Sequence, residues 1–86
     1  MNEKIYQLTE EIEYYFDVNN YALNDELAPK TEYLLKLLNE NNNIELQVLG
    51  EELMSLVYGH NEMPAKKYKK QIKKILNEIM KLTSVN

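Results

Sequence analysis

Apolar residues recur every three or four positions along most of this chain, which is the spacing of an amphipathic α-helix. The first segment carries this period in five residues: Ile5, Leu8, Ile12, Tyr15 and Phe16. The acidic residues of this segment lie at other positions: Glu3, Glu10, Glu11, Glu13 and Asp17. The pattern therefore predicts a helix over residues 3–17, which ends before the asparagine pair at 19 and 20.

A second helix is predicted over residues 29–40. Pro29 disfavours helical geometry at Ala28, because the proline ring restricts the residue before it, so a short turn at 25–28 is expected to precede this helix. Four residues of the helix share the spacing of a buried stripe and are expected to face inward: Tyr33, Leu34, Leu37 and Leu38.

The polar run at 39–43 interrupts the pattern, and the helical period returns in Leu46, Leu49, Leu53, Leu56 and Val57. A third helix is therefore expected to end near Tyr58. Gly50 lies inside this helix, where glycine costs about 1 kcal/mol relative to alanine, so its presence indicates a close approach by a neighbouring helix.

The last helix has the clearest apolar seam, with spacings of 4, 3, 4 and 3: Tyr68, Ile72, Ile75, Ile79 and Leu82. Gly59 is placed at the end of the third helix and Pro64 in the first turn of the fourth. Four helices joined by short polar loops predict an all-α fold, a small antiparallel bundle that forms a single domain over residues 1–86.

The formal charge of −4 results from two opposite contributions. Residues 1–62 hold thirteen of the fourteen acidic residues and three lysines, a net charge of −10, whereas residues 63–86 hold seven lysines and one Glu, a net charge of +6. Such a division indicates either that the basic helix lies across an acidic face of the same molecule, which we favour, or that two surfaces serve two partners.

The composition argues against several classes of function. The chain has no Cys, one His and no Arg, so soft-ligand metal sites and bidentate recognition of phosphate or guanine are not expected. His60 with Glu62 is a poor candidate for acid–base catalysis, since no activated nucleophile accompanies it. We expect a non-enzymatic protein without cofactor or metal that does not bind nucleic acid.

The N-terminal residues lack the apolar run of a signal peptide, and no later segment has the roughly 18 to 20 continuous apolar residues of a membrane span. The sequence therefore predicts a cytoplasmic protein without stable membrane insertion.

Seven Tyr accompany the acidic residues. Tyr offers a large contact area with a hydrogen-bonding tip, so an acidic surface with Tyr anchors would suit a basic protein partner. The alternative is that these Tyr cap the core and the acids keep the domain soluble.

The stretch from Glu45 to Ile75 resembles the closing half of small bacterial immunity proteins. These proteins carry a helix that ends in Leu-x-x-Leu-x-Tyr, a short loop, and a helix that opens with a basic or polar turn and a Tyr. The residues that match are Leu53, Leu56, Tyr58, Pro64, Tyr68, Ile72 and Ile75. Two groups share this outline, the MafI-like immunity proteins of polymorphic and contact-dependent toxin systems and the class IIa bacteriocin immunity proteins.

The first likeness implies a non-catalytic protein of bacterial competition that binds and neutralises a cognate toxin domain, itself basic. Binding is then expected on Glu10, Glu13, Tyr14 and Asp17, with Glu51 and Glu52 as second candidates. The bacteriocin likeness implies instead that the C-terminal half and the basic helix face a membrane receptor complex. A phage or plasmid adaptor protein and a homodimer are the remaining alternatives.

Overall fold

The computed structural model describes residues 2–21, 24–59 and 63–84, and these residues form four α-helices. The helices are α1 (Asn2–Val18), α2 (Leu27–Asn39), α3 (Ile44–Tyr58) and α4 (Ala65–Thr83). No strand occurs within these described ranges. The predicted all-α bundle of four helices is confirmed.

Each helix packs against its neighbours in sequence, and α4 closes the bundle by packing against α1. The diagonal pairs, α1 with α3 and α2 with α4, lie farther apart, with no Cα atoms within 8 Å of each other. Lys4 near the start of α1 lies over the ring of Tyr33 in the middle of α2, whereas Glu11 pairs with Lys30 near the start of α2. These two helices therefore run in opposite directions.

The core is shared by all four helices, and each contributes one apolar stripe. Phe16 is the largest fully buried side chain. The buried apolar residues are Ile5, Ile12, Phe16, Tyr21, Leu27, Leu34, Leu37, Leu38, Leu46, Leu49, Leu53, Ile72, Ile75, Leu76 and Ile79. The predicted inward position of Tyr33 is wrong: its side chain is 39% exposed, because the stripe of α2 is centred on Leu34 and Leu38 and Tyr33 lies at the edge that faces Lys4.

Three threonines are buried among these apolar residues without unpaired hydroxyl groups. Thr9 donates a hydrogen bond to the carbonyl oxygen of Ile5 at 2.6 Å, and Thr83 donates to that of Ile79 at 2.7 Å. Thr31 makes the same bond to Leu27 at 3.0 Å. Each hydroxyl is thus satisfied within its own helix, which removes most of the cost of burying a polar group.

The second helix begins at Leu27, two residues before the predicted start. Ala28 is helical although it precedes Pro29, and its N–H donates to the carbonyl oxygen of Asn24 at 2.9 Å. The Asn24 side chain accepts hydrogen bonds from the N–H groups of Glu26 and Leu27 at 3.1 and 2.7 Å. Pro29 fits here because the first turn of a helix leaves N–H groups without helical partners, so the missing N–H of proline costs nothing.

Gly50 permits the close approach of α3 to α2 that the sequence indicated. A Cβ atom at this position would lie 3.0 Å from the Cβ of Leu38, which is tighter than an ordinary van der Waals contact. Pro64 lies one residue before α4, as its N-cap residue, rather than in its first turn.

The longest helix, α4, has 19 residues, and all seven lysines of the C-terminal part of the chain lie on it. Across the described ranges, none of the helices combines the length and the apolar character that crossing a membrane requires.

The N-terminus of α3 offers a direct test of the helix assignment. The side chain of Asn43 accepts a hydrogen bond from the N–H of Glu45 at 2.9 Å. We expect Asn43→Ala to lower the free energy of unfolding by about 1 kcal/mol, since it removes an N-cap, and urea denaturation measures this change. Asn42→Ala is the matched control at an exposed neighbouring position, and an equal loss in both variants would contradict a capping role for Asn43.

Candidate functional site

Three of the predicted binding residues lie together on the outer side of α1. Glu10, Tyr14 and Asp17 are exposed and follow the helical spacing of one face, opposite the buried stripe that contains Ile12 and Phe16. Tyr14 is 63% exposed. We call Glu10, Glu13, Tyr14 and Asp17 the acidic face of α1, and this face presents an aromatic ring among carboxylates.

Glu13 occupies the inner edge of the acidic face rather than its exposed centre. Its side chain is half-buried, and its Oε2 atom is shielded from solvent without a hydrogen-bond partner. An unpaired buried carboxylate oxygen is unfavourable. Glu13 is therefore poorly placed as a direct contact, and Glu10 and Asp17 carry the accessible charge.

The ring of Tyr14 is held by a chain of contacts that continues into α2. Tyr14 and Tyr15 meet edge to face, with their centroids 5.4 Å apart and their planes at 75°. Lys30 lies over the Tyr15 ring at 5.5 Å from its centroid and forms an ion pair with Glu11 at 2.5 Å. The edge contact with Tyr15 favours one orientation of the Tyr14 ring, and a side chain that is partly oriented loses less freedom on binding.

The second candidates, Glu51 and Glu52, do not join this face. Both are exposed on α3, which lies diagonally across the bundle from α1. Glu51 lines a groove between α2 and α3, whereas Glu52 lines a different groove between α3 and α4. The six predicted residues therefore belong to at least two separate surfaces.

The basic helix α4 packs against both acidic helices, α1 and α3, as the favoured interpretation of the charge division requires. It does so without ion pairs. Within the described ranges, the one ion pair is between Lys30 and Glu11, so the α4 lysines are not neutralised by contact with carboxylates. The outer side of this helix is a strongly positive surface, formed by the exposed residues Lys66, Lys67, Lys70, Lys74 and Lys81.

Two lysines of α4 contact an aromatic ring instead. The Nζ atoms of Lys69 and Lys73 lie 5.2 and 5.9 Å from the centroid of the Tyr21 ring. Tyr21 also stacks on Phe16, with a centroid distance of 5.8 Å. Cation–π contacts of this kind contribute about 0.5–1 kcal/mol at exposed sites.

Tyr21 was not singled out in the sequence analysis. Asn20 and Tyr21 both adopt left-handed backbone geometry, with φ of 57° and 64°, and this turn folds the Tyr21 ring back onto the end of α1. The Asn pair at 19 and 20 was the available signal, since Asn tolerates this geometry better than most residues.

Three groups have raised pKa values. The hydrogen bond to Glu11 raises the pKa of Lys30 above its ordinary value. Burial raises the pKa of Tyr68, and burial together with the nearby charge of Glu32 raises that of Tyr58. Each group binds its proton more tightly in the folded chain than in the unfolded chain, so its contribution to stability is present at neutral pH and is lost in alkaline solution.

We therefore expect the melting temperature to fall as the pH rises through about 10, where Tyr and Lys ordinarily titrate. Tyr68→Phe removes one of the three groups and should make this fall shallower, as measured by circular dichroism between about pH 8 and 11. Tyr14→Phe, at an exposed ring, is the matched control. An equally steep fall for Tyr68→Phe and the wild type would contradict the linkage.

Comparisons with protein-family models, with curated proteins and with solved structures found no match to this chain. The candidate site therefore rests on the geometry of the described residues alone. His60 and Glu62, considered above for acid–base chemistry, lie outside the described residues.

Proposed function

We propose that this chain is a non-catalytic bacterial immunity protein that binds and neutralises a cognate toxin domain. The observation that carries the proposal is the acidic face of α1, where the exposed ring of Tyr14 lies on the same helical face as Glu10 and Asp17. Tyr is enriched among the residues that dominate binding energy, and surrounding carboxylates attract a basic partner and accelerate its association.

The preceding contacts support Tyr14 as the anchor of this interface. Its ring is fixed by Tyr15, which is itself covered by Lys30. A ring that is already oriented binds with less loss of side-chain freedom than one on a mobile loop. The exposed Val18, one turn further along α1, extends the apolar part of the same surface.

A second candidate function is immunity at a membrane receptor complex, as in the bacteriocin group. The outer lysines of α4 favour it, because no carboxylate in the described part of the chain pairs with them. In that case α4, rather than the acidic face of α1, would meet the partner.

Co-expression with a cognate toxin domain separates the two functions. A toxin inhibitor should co-purify with that domain as a stable complex, whereas a protein that acts at a membrane receptor should not. A neighbouring open reading frame that encodes a short bacteriocin precursor with a double-Gly leader would favour immunity at a membrane receptor complex.

Variants of the acidic face then test the interface by calorimetry. We expect Tyr14→Ala to raise the Kd by about 30-fold, as for a central aromatic anchor, and the double variant Glu10→Lys with Asp17→Lys to raise it by about tenfold, mainly through slower association. The matched control is Glu40→Lys, an exposed charge at the end of α2. Full neutralisation by the folded α1 variants would place the interface elsewhere.

A further inference from the structure

The third helix is unusual because it is apolar on both sides. Leu46, Leu49 and Leu53 fill the core, yet the opposite side of α3 also carries large apolar residues. They are Ile44, Val48, Met54 and Tyr58, four of the seven exposed large apolar side chains of the described residues. Large apolar side chains grouped on the exposed side of a helix, among polar residues, mark a surface suited to docking a partner.

The outer residues of α3 form a continuous stripe. Ile44, Val48, Glu51, Ser55 and Tyr58 follow spacings of 4, 3, 4 and 3, which is the seam spacing through which helices pack together. The stripe is about 21 Å long, or nearly four helical turns. Its two ends are apolar and its middle carries the carboxylate of Glu51.

A groove runs beside this stripe, between α2 and α3, and has a volume of about 410 Å³. Gly50 and the half-buried Leu35 line it, together with Met54 and the carboxylates of Glu32 and Glu51. Gly50 lies at the base of the groove, where α3 approaches Leu38 of α2 closely. Met54 is 51% exposed, and methionine adapts its shape to different apolar partners.

The negative charge around the stripe indicates the charge of the partner that would bind there. α3 carries Glu45, Glu51 and Glu52 and no basic residue, and none of these carboxylates forms an ion pair with a described residue. Glu32 adds a further negative charge across the groove, and Lys36 is the one lysine among the residues that line it. A partner must therefore supply both apolar and basic side chains.

A second copy of this chain fits the stripe poorly. Glu51 lies midway between Ile44 and Tyr58, so a two-fold axis that pairs the whole stripe with itself brings two Glu51 carboxylates together. The basic helix α4 of another copy also fits the stripe poorly, because its apolar residues Ile72, Ile75 and Ile79 are buried in the core of that copy.

We infer that the outer stripe of α3 and the adjoining α2–α3 groove bind a basic amphipathic helix of a partner protein. Apolar side chains of that helix contact Ile44, Val48, Met54 and Tyr58, and a Lys or Arg between them pairs with Glu51. Because α3 lies diagonally from α1, this surface is distinct from the acidic face of α1 and remains accessible when that face is occupied. The inference does not depend on the proposed toxin-binding function.

A labelled peptide tests this surface directly. The probe is a helix of about 18 residues, or five turns, with Leu at seam positions and Lys elsewhere, and the matched probe has Glu in place of Lys. Fluorescence polarisation should detect binding of the Lys peptide and not of the Glu peptide. NMR of the wild-type protein should show the largest shifts at the methyl groups of Ile44, Val48 and Met54.

Exposed positions allow variants that keep the core intact. We expect Val48→Ser and Glu51→Lys each to weaken binding of the Lys peptide by about tenfold, while Glu3→Lys, an exposed charge in the first turn of α1 outside both surfaces, leaves it unchanged. Glu51→Gln serves as a milder second variant, and thermal melts verify that each variant is folded.

Three outcomes would overturn the inference. The first is absence of binding by the Lys peptide, and the second is equal affinity for the wild type and the two α3 variants, which would indicate adsorption elsewhere. The third is a dimer in sedimentation analysis that dissociates on Val48→Ser, since this would assign the stripe to a second copy of the chain.

Discussion

The bundle depends on one shared core into which each of four helices inserts a single apolar stripe. With 86 residues and no Cys, the chain has no covalent crosslink to compensate for a badly filled interior, and a domain of this size buries only about 60–65% of its unfolded surface. The buried hydroxyls of Thr9, Thr31 and Thr83 are each satisfied within their own helix, whereas Glu13 Oε2 and the Tyr21 hydroxyl are buried without a hydrogen-bond partner among the described residues. Gly50 serves the same core by letting α3 approach Leu38 closely.

The use of one stripe per helix leaves the outer sides free to differ in chemistry. α1 presents Tyr14 among carboxylates, α3 presents apolar residues with carboxylates, and α4 presents lysines. Neighbouring helices thus carry opposite charge, yet they are not joined by ion pairs between α4 and its neighbours within the described ranges. The absence of these ion pairs favours binding, because a charge that is already paired within the protein contributes less to the recognition of a partner.

The lysines that do have a partner contact mainly aromatic rings. The ammonium groups of Lys69 and Lys73 lie over the ring of Tyr21, and that of Lys4 lies over Tyr33, where the negative ring face attracts the positive charge. Lys30 combines both roles, since it covers Tyr15 and pairs with Glu11. Tyr15 in turn meets the exposed ring of Tyr14 edge to face, so a chain of surface contacts leads from α2 to the acidic face of α1.

The periodicity of apolar residues by itself determined the four helices and most of the core, because a 3.6-residue repeat depends only on local spacing. It also placed Glu10, Tyr14 and Asp17 on one helical face. Other features depend on the tertiary structure and cannot be read from local spacing. Glu51 and Glu52 lie on a helix diagonal to α1. Glu13 is half-buried and Tyr33 partly exposed, and Tyr21 turns back onto Phe16. These outcomes follow from the order in which helices pack and from the left-handed turn at Asn20 and Tyr21, since burial of a side chain depends on neighbours that are distant in sequence.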